Sequence, residues 1–407
     1  MGVPAGLRAY REIFRIPGTG GFVSASLVGR LPAAMLSLAT VFLIEAETGS
    51  YATAGAVASA GALCYAFVVP RLGRAADRIG QRRVLRPLGL AFGALGALLL
   101  LAAWLDGPRW TLYAAGAAFM ATMPPVGALV RARWSHLAGS DASLVASSYS
   151  FESVADELIF VIGPLVVSAV VLLHPGAGVA AVALAGAVGS LLLAAQRRTE
   201  PPVIALPAGG GGGALRVHGL RLMCAVYVCM AAMMAGWELS TIAFADAYGS
   251  PWMSGGVMAA YALGSGVGGL WYGARQWRLT LDRRFLLTLA AVVVGVAPLW
   301  AMPGVTALLV YSLFSGFLIA PMIIAGYSLV RQGVPPTALT EGMTWLSTAI
   351  GVGKAVGVLG AGVVIDAYGP RWGYVLTLAC GCASLLVGAL GARHLRAMAS
   401  TRIVRAA

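Results

Sequence analysis

The chain has 407 residues, of which 59% are hydrophobic and only 11% are charged. This is too little polar surface to cover a water-soluble globule of that size, so the composition excludes a soluble fold and indicates a membrane protein. The formal net charge of +13 does not indicate a nucleic-acid partner, because the cations stand in short groups between apolar runs and form no stripe along a polar domain.

Twelve apolar runs are each long enough to cross a hydrocarbon core of about 30 Å as a helix. They lack the alternation of a barrel strand, so the expected fold is an all-α membrane protein. The predicted spans, numbered 1 to 12 in chain order, are 22–44, 51–70, 84–104, 110–130, 145–173, 177–195, 220–245, 253–274, 285–301, 304–330, 341–365 and 372–391.

The distribution of the arginines predicts the orientation of the spans. With the N-terminus inside, nearly all cations between the spans fall on the cytoplasmic side, and only Arg109 and Arg371 fall outside. The first twenty residues show no short apolar core followed by a small-residue cleavage site, so span 1 is expected to remain in the protein. We therefore expect a multi-pass protein of the cytoplasmic (inner) membrane with both termini cytoplasmic.

The longest polar stretch, 196–219, contains three prolines, among them Pro201 and Pro202, and a run of five glycines, which indicates a flexible cytoplasmic linker. It separates an expected six-helix bundle over 1–195 from a second over 220–407. A faint repeat relates the halves, because Gly73 followed by Arg82-Arg83 is echoed by Gly273 followed by Arg283-Arg284. Internal repeats with binding at their interface are typical of secondary transporters.

The segment after span 2 reads Gly73-Arg-Ala-Ala-Asp77-Arg78-Ile-Gly80-Gln-Arg82-Arg83-Val-Leu85. It resembles the signature loop of the major facilitator superfamily, although Ala75 replaces the usual Leu and Gln81 a usual basic residue. The resemblance implies two pseudo-symmetric six-helix bundles that work by alternating access. It also implies a drug or metabolite exporter-like protein, in which this loop latches the outward-facing state.

The gating residues implied by that resemblance are Gly73, Asp77, Arg78, Gly80 and Arg82. The residues of the segment also suggest a physical reason for a gating role. Asp77 is the only acid among the arginines of the segment, so it can bridge helix ends as an acceptor, while the two glycines allow close backbone approach. The alternative is a solvated arginine cluster that only sets topology.

Six ionisable side chains fall inside the predicted spans, and each costs about 2.5–3.5 kcal/mol at the centre of a helix, so each is a functional candidate. They are Arg30, Glu152, Asp156, Glu157, Glu238 and Lys354. At ~1.5 Å per residue, Arg30 is expected about 12 Å from the cytoplasmic side, level with Asp156 and Glu157. Glu238 and Lys354 are expected at roughly 20–24 Å, also as a pair.

The six comprise four acids and two bases, so two acids are in surplus. Protonation, a bound cation, or contact of Glu152 with water near the inner surface would each account for the surplus. We expect Asp156 or Glu157, together with Glu152 and steered by Arg30, to carry a coupling proton.

The second predicted pair is expected to contact the substrate. Lys354 is the only lysine in the chain, and a desolvated lysine can lose its proton or bind an anion. The alternative is a lysine that snorkels to water. Four aromatic residues are further candidates for contact with an amphipathic solute, or alternatively belong to the interfacial belt: Tyr149, Trp237, Tyr261 and Trp345.

The sequence shows no nucleotide loop, no metal-spaced histidines and no Ser-His-Asp set, so we expect neither an enzyme, nor a cofactor, nor a metal site. The expected function is secondary active transport of a small organic solute, by proton-coupled export (antiport). The alternative is proton-coupled uptake (symport) of a small metabolite. The expected partners are the solute, protons and the lipid bilayer, with no nucleic acid, and the expected state is a monomer.

Overall fold

A computed structural model describes residues 14–105, 108–138, 142–203, 214–275, 277–335 and 339–405. Across these residues the chain is helical and contains no strand, which confirms the all-α prediction. Fifteen α-helices are described: α1 (Thr19–Thr48), α2 (Tyr51–Ile79), α3 (Gln81–Trp104), α4 (Arg109–Ala121), α5 (Val126–Ala138), α6 (Ala142–Val171), α7 (Pro175–Ala195), α8 (His218–Ala247), α9 (Met253–Ala274), α10 (Leu281–Val296), α11 (Val305–Gly316), α12 (Ile319–Gly333), α13 (Leu339–Tyr368), α14 (Pro370–Leu390) and α15 (Ala392–Arg405). Short 3₁₀ helices lie at Arg197–Thr199, Ala214–Arg216 and Ala297–Ala301.

Each of the twelve predicted spans falls within this helical structure. Eleven helical segments of the described chain are long and apolar enough to cross a membrane, so the protein is a multi-pass membrane protein. The remaining predicted span, 253–274, is α9; it is 22 residues long, and its many glycines lower its hydropathy.

Two predicted spans are interrupted where proline disfavours a continuous helix. Span 4 is divided into α4 and α5 at Thr122–Pro125, because Pro124 and Pro125 lack an N–H and restrict the residues before them. Span 10 is divided into α11 and α12, and Pro321 lies in the first turn of the second piece. A helix absent from the prediction, α15, follows the last span; its charged sequence gives no apolar signal.

The chain forms two compact units. Unit 1 comprises Met1–Leu43 and Phe67–Pro207, and unit 2 comprises Ile44–Ala66 and Ala208–Ala407. The end of α1 and the first half of α2 thus pack with the second half of the chain. Small residues permit this, because a Cβ on Gly55 would lie only 2.7 Å from the carbonyl oxygen of Val358 in α13.

The segment with the superfamily signature is mostly helix rather than the predicted loop. Helix α2 continues to Ile79, and α3 begins at Gln81, so only Gly80 separates them. The extension is favourable because Ala and Arg are good helix formers, and the guanidinium of Arg74 donates a hydrogen bond to the carbonyl of Pro70. Gly80 makes the turn with a φ of +94°, which glycine adopts without strain.

The predicted flexible linker is partly structured. Its first residues form the 3₁₀ helix Arg197–Thr199, and Thr199 is only 1% exposed. The glycine run of the linker lies outside the described residues. The start of the linker therefore belongs to the packed part of unit 1.

Candidate functional sites

Unit 1 contains a cluster of four charged side chains, here called the charge cluster: Arg30 of α1, Arg131 of α5, and Glu152 and Asp156 of α6. Arg30 forms ion pairs with Glu152 and, at 3.0 Å, with Asp156. Arg131 pairs with the second carboxylate oxygen of Asp156. Asp156 therefore bridges two guanidinium groups.

Helix geometry explains this meeting. Glu152 and Asp156 are four residues apart and share one face of α6. That helix lies against α1, where a Cβ on Gly163 would be 2.9 Å from the Cβ of Ala34. Because side chains point toward the N-terminus of their own helix, Arg30 reaches back to the two carboxylates. The prediction that Arg30 and Asp156 meet at one level is confirmed.

One end of the charge cluster is buried and the other end is partly exposed. The side chains of Arg30 and Glu152 are 3% and 1% exposed, whereas those of Asp156 and Arg131 are 32% and 41% exposed. The indole N–H of Trp134 donates a 2.6 Å hydrogen bond to Glu152. The explanation in which Glu152 reaches water near the inner surface is therefore wrong.

The sequence analysis missed two members of this site. It placed Arg131 in a cytoplasmic loop, but α5 continues to Ala138 and carries Arg131 into the cluster. Two guanidiniums then balance two carboxylates, so the cluster holds no surplus acid. Trp134 was also missed, although Arg131 and Trp134 share one face of α5 at a spacing of three residues. Glu157 is half-buried and forms no ion pair with any described residue.

A second buried arginine, Arg133, joins several segments at one end of unit 1. It is fully buried and donates hydrogen bonds to the Gln81 amide oxygen at 2.8 Å, the Thr199 hydroxyl at 2.9 Å, and the carbonyls of Leu193 and Gln196 at the end of α7. All four acceptors are neutral. Arg133 thus joins the first turn of α3 to the start of the linker.

The signature residues behave differently from the prediction. Asp77 and Arg78 are exposed on the last turns of α2 and form no ion pair with a described residue of unit 1. The acid at this junction is Glu200, whose carboxylate accepts a 2.8 Å hydrogen bond from the backbone N–H of Arg82. Asp77 therefore does not bridge helix ends within unit 1.

The two signature glycines, Gly80 and Gly73, differ in the space around their Cβ positions. A Cβ on Gly80 would lie 3.1 Å from the Glu200 carboxylate, so close approach applies there. Nothing lies within 4 Å of the Cβ position of Gly73, so close approach does not explain that glycine.

Unit 2 brings together two of the predicted substrate-contacting aromatics. The rings of Trp237 in α8 and Tyr261 in α9 stack with centroids 4.1 Å apart and planes 26° from parallel. Trp237 is 7% exposed, and its buried indole N–H has no hydrogen-bond partner among the described residues. The half-buried Glu238 follows it in sequence. The site thus offers an aromatic surface and one free donor, and Glu238 occupies the next position of the same helix.

The predicted pair of Glu238 and Lys354 is wrong. Helices α8 and α13 run parallel, in a register that places Gly353 against the carbonyl of Val228 and Gly357 against that of Ala232. In this register Lys354 is level with Cys229, about 13 Å below Glu238 at ~1.5 Å per residue. Lys354 is exposed, and no ion pair among the described residues includes it.

Trp345, another predicted aromatic of unit 2, makes no ring contact with the stacked pair among the described residues. Trp345 is 40% exposed near the start of α13. The side chain of Tyr149 lies outside the described part of the structure.

An acid in unit 2 caps the first turn of α2. The carboxylate of Asp366, near the end of α13, accepts 2.9 Å hydrogen bonds from the backbone N–H groups of Tyr51 and Ala52 and a 2.7 Å bond from the Ser50 hydroxyl. The Tyr51 hydroxyl also lies 3.3 Å from a carboxylate oxygen of Asp246. Sequence reasoning missed this cap, because both acids sit at the ends of spans and resemble ordinary interfacial residues.

No protein-family model matches the sequence, and no curated protein matches it either. Solved structures do match. A bacterial homologue of the iron transporter ferroportin, in an inward-facing state, is 13% identical with a TM-score of 0.73, over 93% of this chain and 99% of that one. The peptide transporter POT in complex with sulfate is 14% identical with a TM-score of 0.73, over 94% and 96%. The nucleoside transporter NupG is 15% identical with a TM-score of 0.62, over 93% and 97%.

These neighbours are transporters, and they match nearly the whole of this chain. The chain therefore has the major facilitator fold, as the signature segment indicated. The neighbours handle chemically different solutes, so the shared fold does not indicate one substrate.

Proposed function

We propose that this protein is a secondary active transporter that exports a small organic solute across the cytoplasmic membrane in exchange for protons. The observation that carries the proposal is the charge cluster of unit 1. Four charged side chains inside a membrane-spanning bundle are costly, and such groups typically mark ion or proton pathways. The fold shared with transporters of peptides, nucleosides and iron supports the same class of function.

The proposed coupling residues are Asp156 and Glu157, with Arg30 and Glu152 as the buried anchor. Asp156 is partly exposed, so it can exchange a proton with water, whereas Glu152 is shielded. A proton on Asp156 would cancel its charge and break its ion pair with Arg131, while Arg30 would retain its ion pair with Glu152. Glu157, one residue further on α6, is the second candidate carrier, because no guanidinium neutralises it among the described residues.

The proposed substrate site is the aromatic pair of unit 2. The stacked Trp237 and Tyr261 suit a flat or amphipathic solute, and the indole N–H of Trp237 would donate to an acceptor on it. Glu238 would contact a donor or cationic group. Lys354 would bind an anionic group at a different level of unit 2, and Trp345 would add further apolar surface there.

In this proposal the signature residues Gly73, Asp77, Arg78, Gly80 and Arg82 gate the transport cycle from the cytoplasmic side. The termini are cytoplasmic and the protein works as a monomer. Proton-coupled uptake remains the second candidate, because the same cluster can load a proton from either side.

The test is transport in proteoliposomes. Amino acids, sugars, dipeptides, nucleosides and lipophilic cations are first screened for thermal stabilisation of the purified protein, and the stabilising compound is then used in radiolabelled form. Accumulation driven by an acid interior supports antiport, and accumulation driven by an acid exterior supports symport.

Variants then test the coupling residues. Asp156→Asn and Glu157→Gln are expected to abolish gradient-driven accumulation in at least one case, at normal expression. Glu47→Gln, which changes an exposed acid near the end of α1, is the matched control and is expected to transport normally. Wild-type accumulation in both coupling variants would refute the assigned coupling role, and no flux under any gradient would refute transport.

A further inference from the structure

Unit 1 contains a cavity of about 590 Å³ where α2, α3 and the start of the linker meet. We call it the arginine pocket, because four arginines and a single acid line it: Arg82, Arg83, Arg86, Arg197 and Glu200. Arg83, Arg86 and Arg197 are not among the proposed gating residues. The pocket shares no lining residue with the charge cluster or with the aromatic pair.

The pocket carries a strong excess of positive charge. None of its four arginines forms an ion pair with a described residue, and Glu200 is hydrogen-bonded to a backbone N–H instead. The buried Arg133, which contacts neutral groups only, adds a further cation behind the pocket. The Glu200 carboxylate occupies the N-terminal turn of α3, a position that favours an anion.

The exposed face of α3 connects the pocket with the hydrocarbon region. Arg83 and Arg86 are exposed, and at helical spacing beyond them follow Leu90 and Leu98, which are 60% and 48% exposed. The same face is thus cationic at the membrane surface and apolar at depth. A ligand that suits both parts has a phosphate head and acyl chains.

We propose that the arginine pocket binds the phosphate of an acidic phospholipid of the cytoplasmic leaflet, with the acyl chains along the Leu90 face of α3. Guanidinium groups bind phosphate oxygens in a bidentate manner, and basic pockets at this level suit anionic headgroups. Glu200 is the internal competitor, because its carboxylate faces the same arginines. Since Arg197 and Glu200 belong to the linker, the lipid would fasten the start of the linker to α3.

Native mass spectrometry of the full-length protein, purified in detergent, tests this directly. Phosphatidylglycerol and phosphatidylcholine with identical acyl chains are added in parallel, and the bound lipids are counted. Phosphatidylglycerol is expected to be retained preferentially. Arg83→Gln, Arg86→Gln and Arg197→Gln are each expected to lower its retention about fivefold, the factor that corresponds to about 1 kcal/mol per arginine at a membrane surface.

The neighbouring residue supplies the matched control. Arg198 is exposed but does not line the pocket, so Arg198→Gln removes the same charge next to Arg197 and is expected to retain the lipid. Glu200→Gln removes the competitor and is expected to raise retention, a gain that a misfolded variant cannot imitate.

Three outcomes would overturn the proposal. Equal losses in the Arg197 and Arg198 variants would indicate general surface charge. Equal retention of the two lipids would show no headgroup recognition. Thermal stabilisation by inorganic pyrophosphate, without preferential retention of phosphatidylglycerol, would identify a soluble phosphate as the ligand instead.

Discussion

The repeat of the sequence places two equivalent helix junctions in the two units, and their charges are arranged differently. In unit 1 the junction lies between α2 and α3, and in unit 2 it lies between α9 and α10. Gln81 and Asp282 occupy equivalent positions in the first turn after each junction, and both are 4% exposed. The two residues share their backbone position and their burial, but Gln81 is neutral and Asp282 is acidic.

Two arginines of the unit 2 junction, Arg275 and Arg284, lie against aromatic rings. The guanidinium of Arg275 lies 5.5 Å from the ring centre of Trp271 and 5.2 Å from that of Trp277. Arg284 lies 5.9 Å from the ring of Tyr272 and donates a hydrogen bond to its hydroxyl. These contacts stabilise cations without an added acid.

In unit 1 no aromatic ring covers the four arginines of the pocket among the described contacts. Its one acid comes from the linker, and its internal support comes from Arg133. Both junctions join two helices and carry a pair of consecutive arginines, Arg82-Arg83 and Arg283-Arg284, but the groups around the arginines differ. Aromatic rings contact two arginines of the unit 2 junction, whereas the four arginines of the unit 1 pocket line a cavity.

The largest expected effect is the loss of stability on replacing Arg133 of the unit 1 junction, compared with replacing Arg284 of the unit 2 junction. Arg133→Met leaves the Gln81 amide oxygen and the carbonyls at the end of α7 buried without a donor, so we expect a loss of about 3–5 kcal/mol in the free energy of unfolding. Arg284→Met removes two cation–π contacts, with Tyr272 and Trp277, and one hydrogen bond, and is expected to cost about 1 kcal/mol. Unfolding of the purified protein in detergent micelles measures both.

Equal losses in the two variants would contradict the comparison. So would a loss for Arg133→Met of the size of a surface substitution. Arg198→Met, next to the same junction but exposed, controls for the loss of a positive charge.

The two signature glycines are expected to respond in opposite directions. Gly80→Ala places a Cβ at a φ of +94° and close to Glu200, so we expect a loss of about 1–2 kcal/mol. Gly73 lies inside α2 with open space around it, so Gly73→Ala is expected to gain up to about 1 kcal/mol. The same unfolding measurement applies, and a loss for Gly73→Ala would show that its surroundings close in a state other than this one.

These residues also show what the sequence can predict. The spans follow from the length and composition of each run, which are local properties. Depth counting along two helices was sufficient to predict the contact of Arg30 with Asp156, because a long arginine tolerates an error of one turn. The signature segment was recognised correctly, but not its helical continuation past the apolar run.

The wrong predictions concern which helix faces pack against each other, and in which register. The pairing of Glu238 with Lys354 assumed that α8 and α13 start at the same level, whereas close contacts of Gly353 and Gly357 with α8 set another register. Arg131 was assigned to a loop because hydropathy falls before the helix ends. The aromatic cover of the unit 2 junction depends on tertiary packing, and periodicity within one helix gives no signal for it.

The smallest expected effect concerns Asp282, the acid that unit 2 carries at the position where unit 1 has Gln81. Asp282 lies in the first turn of α10 and is 4.0 Å from Arg396, whose side chain is 70% exposed. Because the partner is solvated, the ion pair is weak, and the main contribution is the favourable position of an anion at a helix N-terminus. Asp282→Asn is therefore expected to lower the free energy of unfolding by about 0.5–1 kcal/mol at low salt.

Added salt separates these two contributions. Arg396→Gln is expected to have almost no effect at high salt, because screening removes an exposed pair, whereas part of the Asp282→Asn loss is expected to persist since the carboxylate itself is buried. If both losses vanish together in salt, Asp282 acts only through Arg396. The unit 2 junction would then depend on a surface ion pair, and its contrast with the neutral Gln81 of unit 1 would not reflect a difference in internal support.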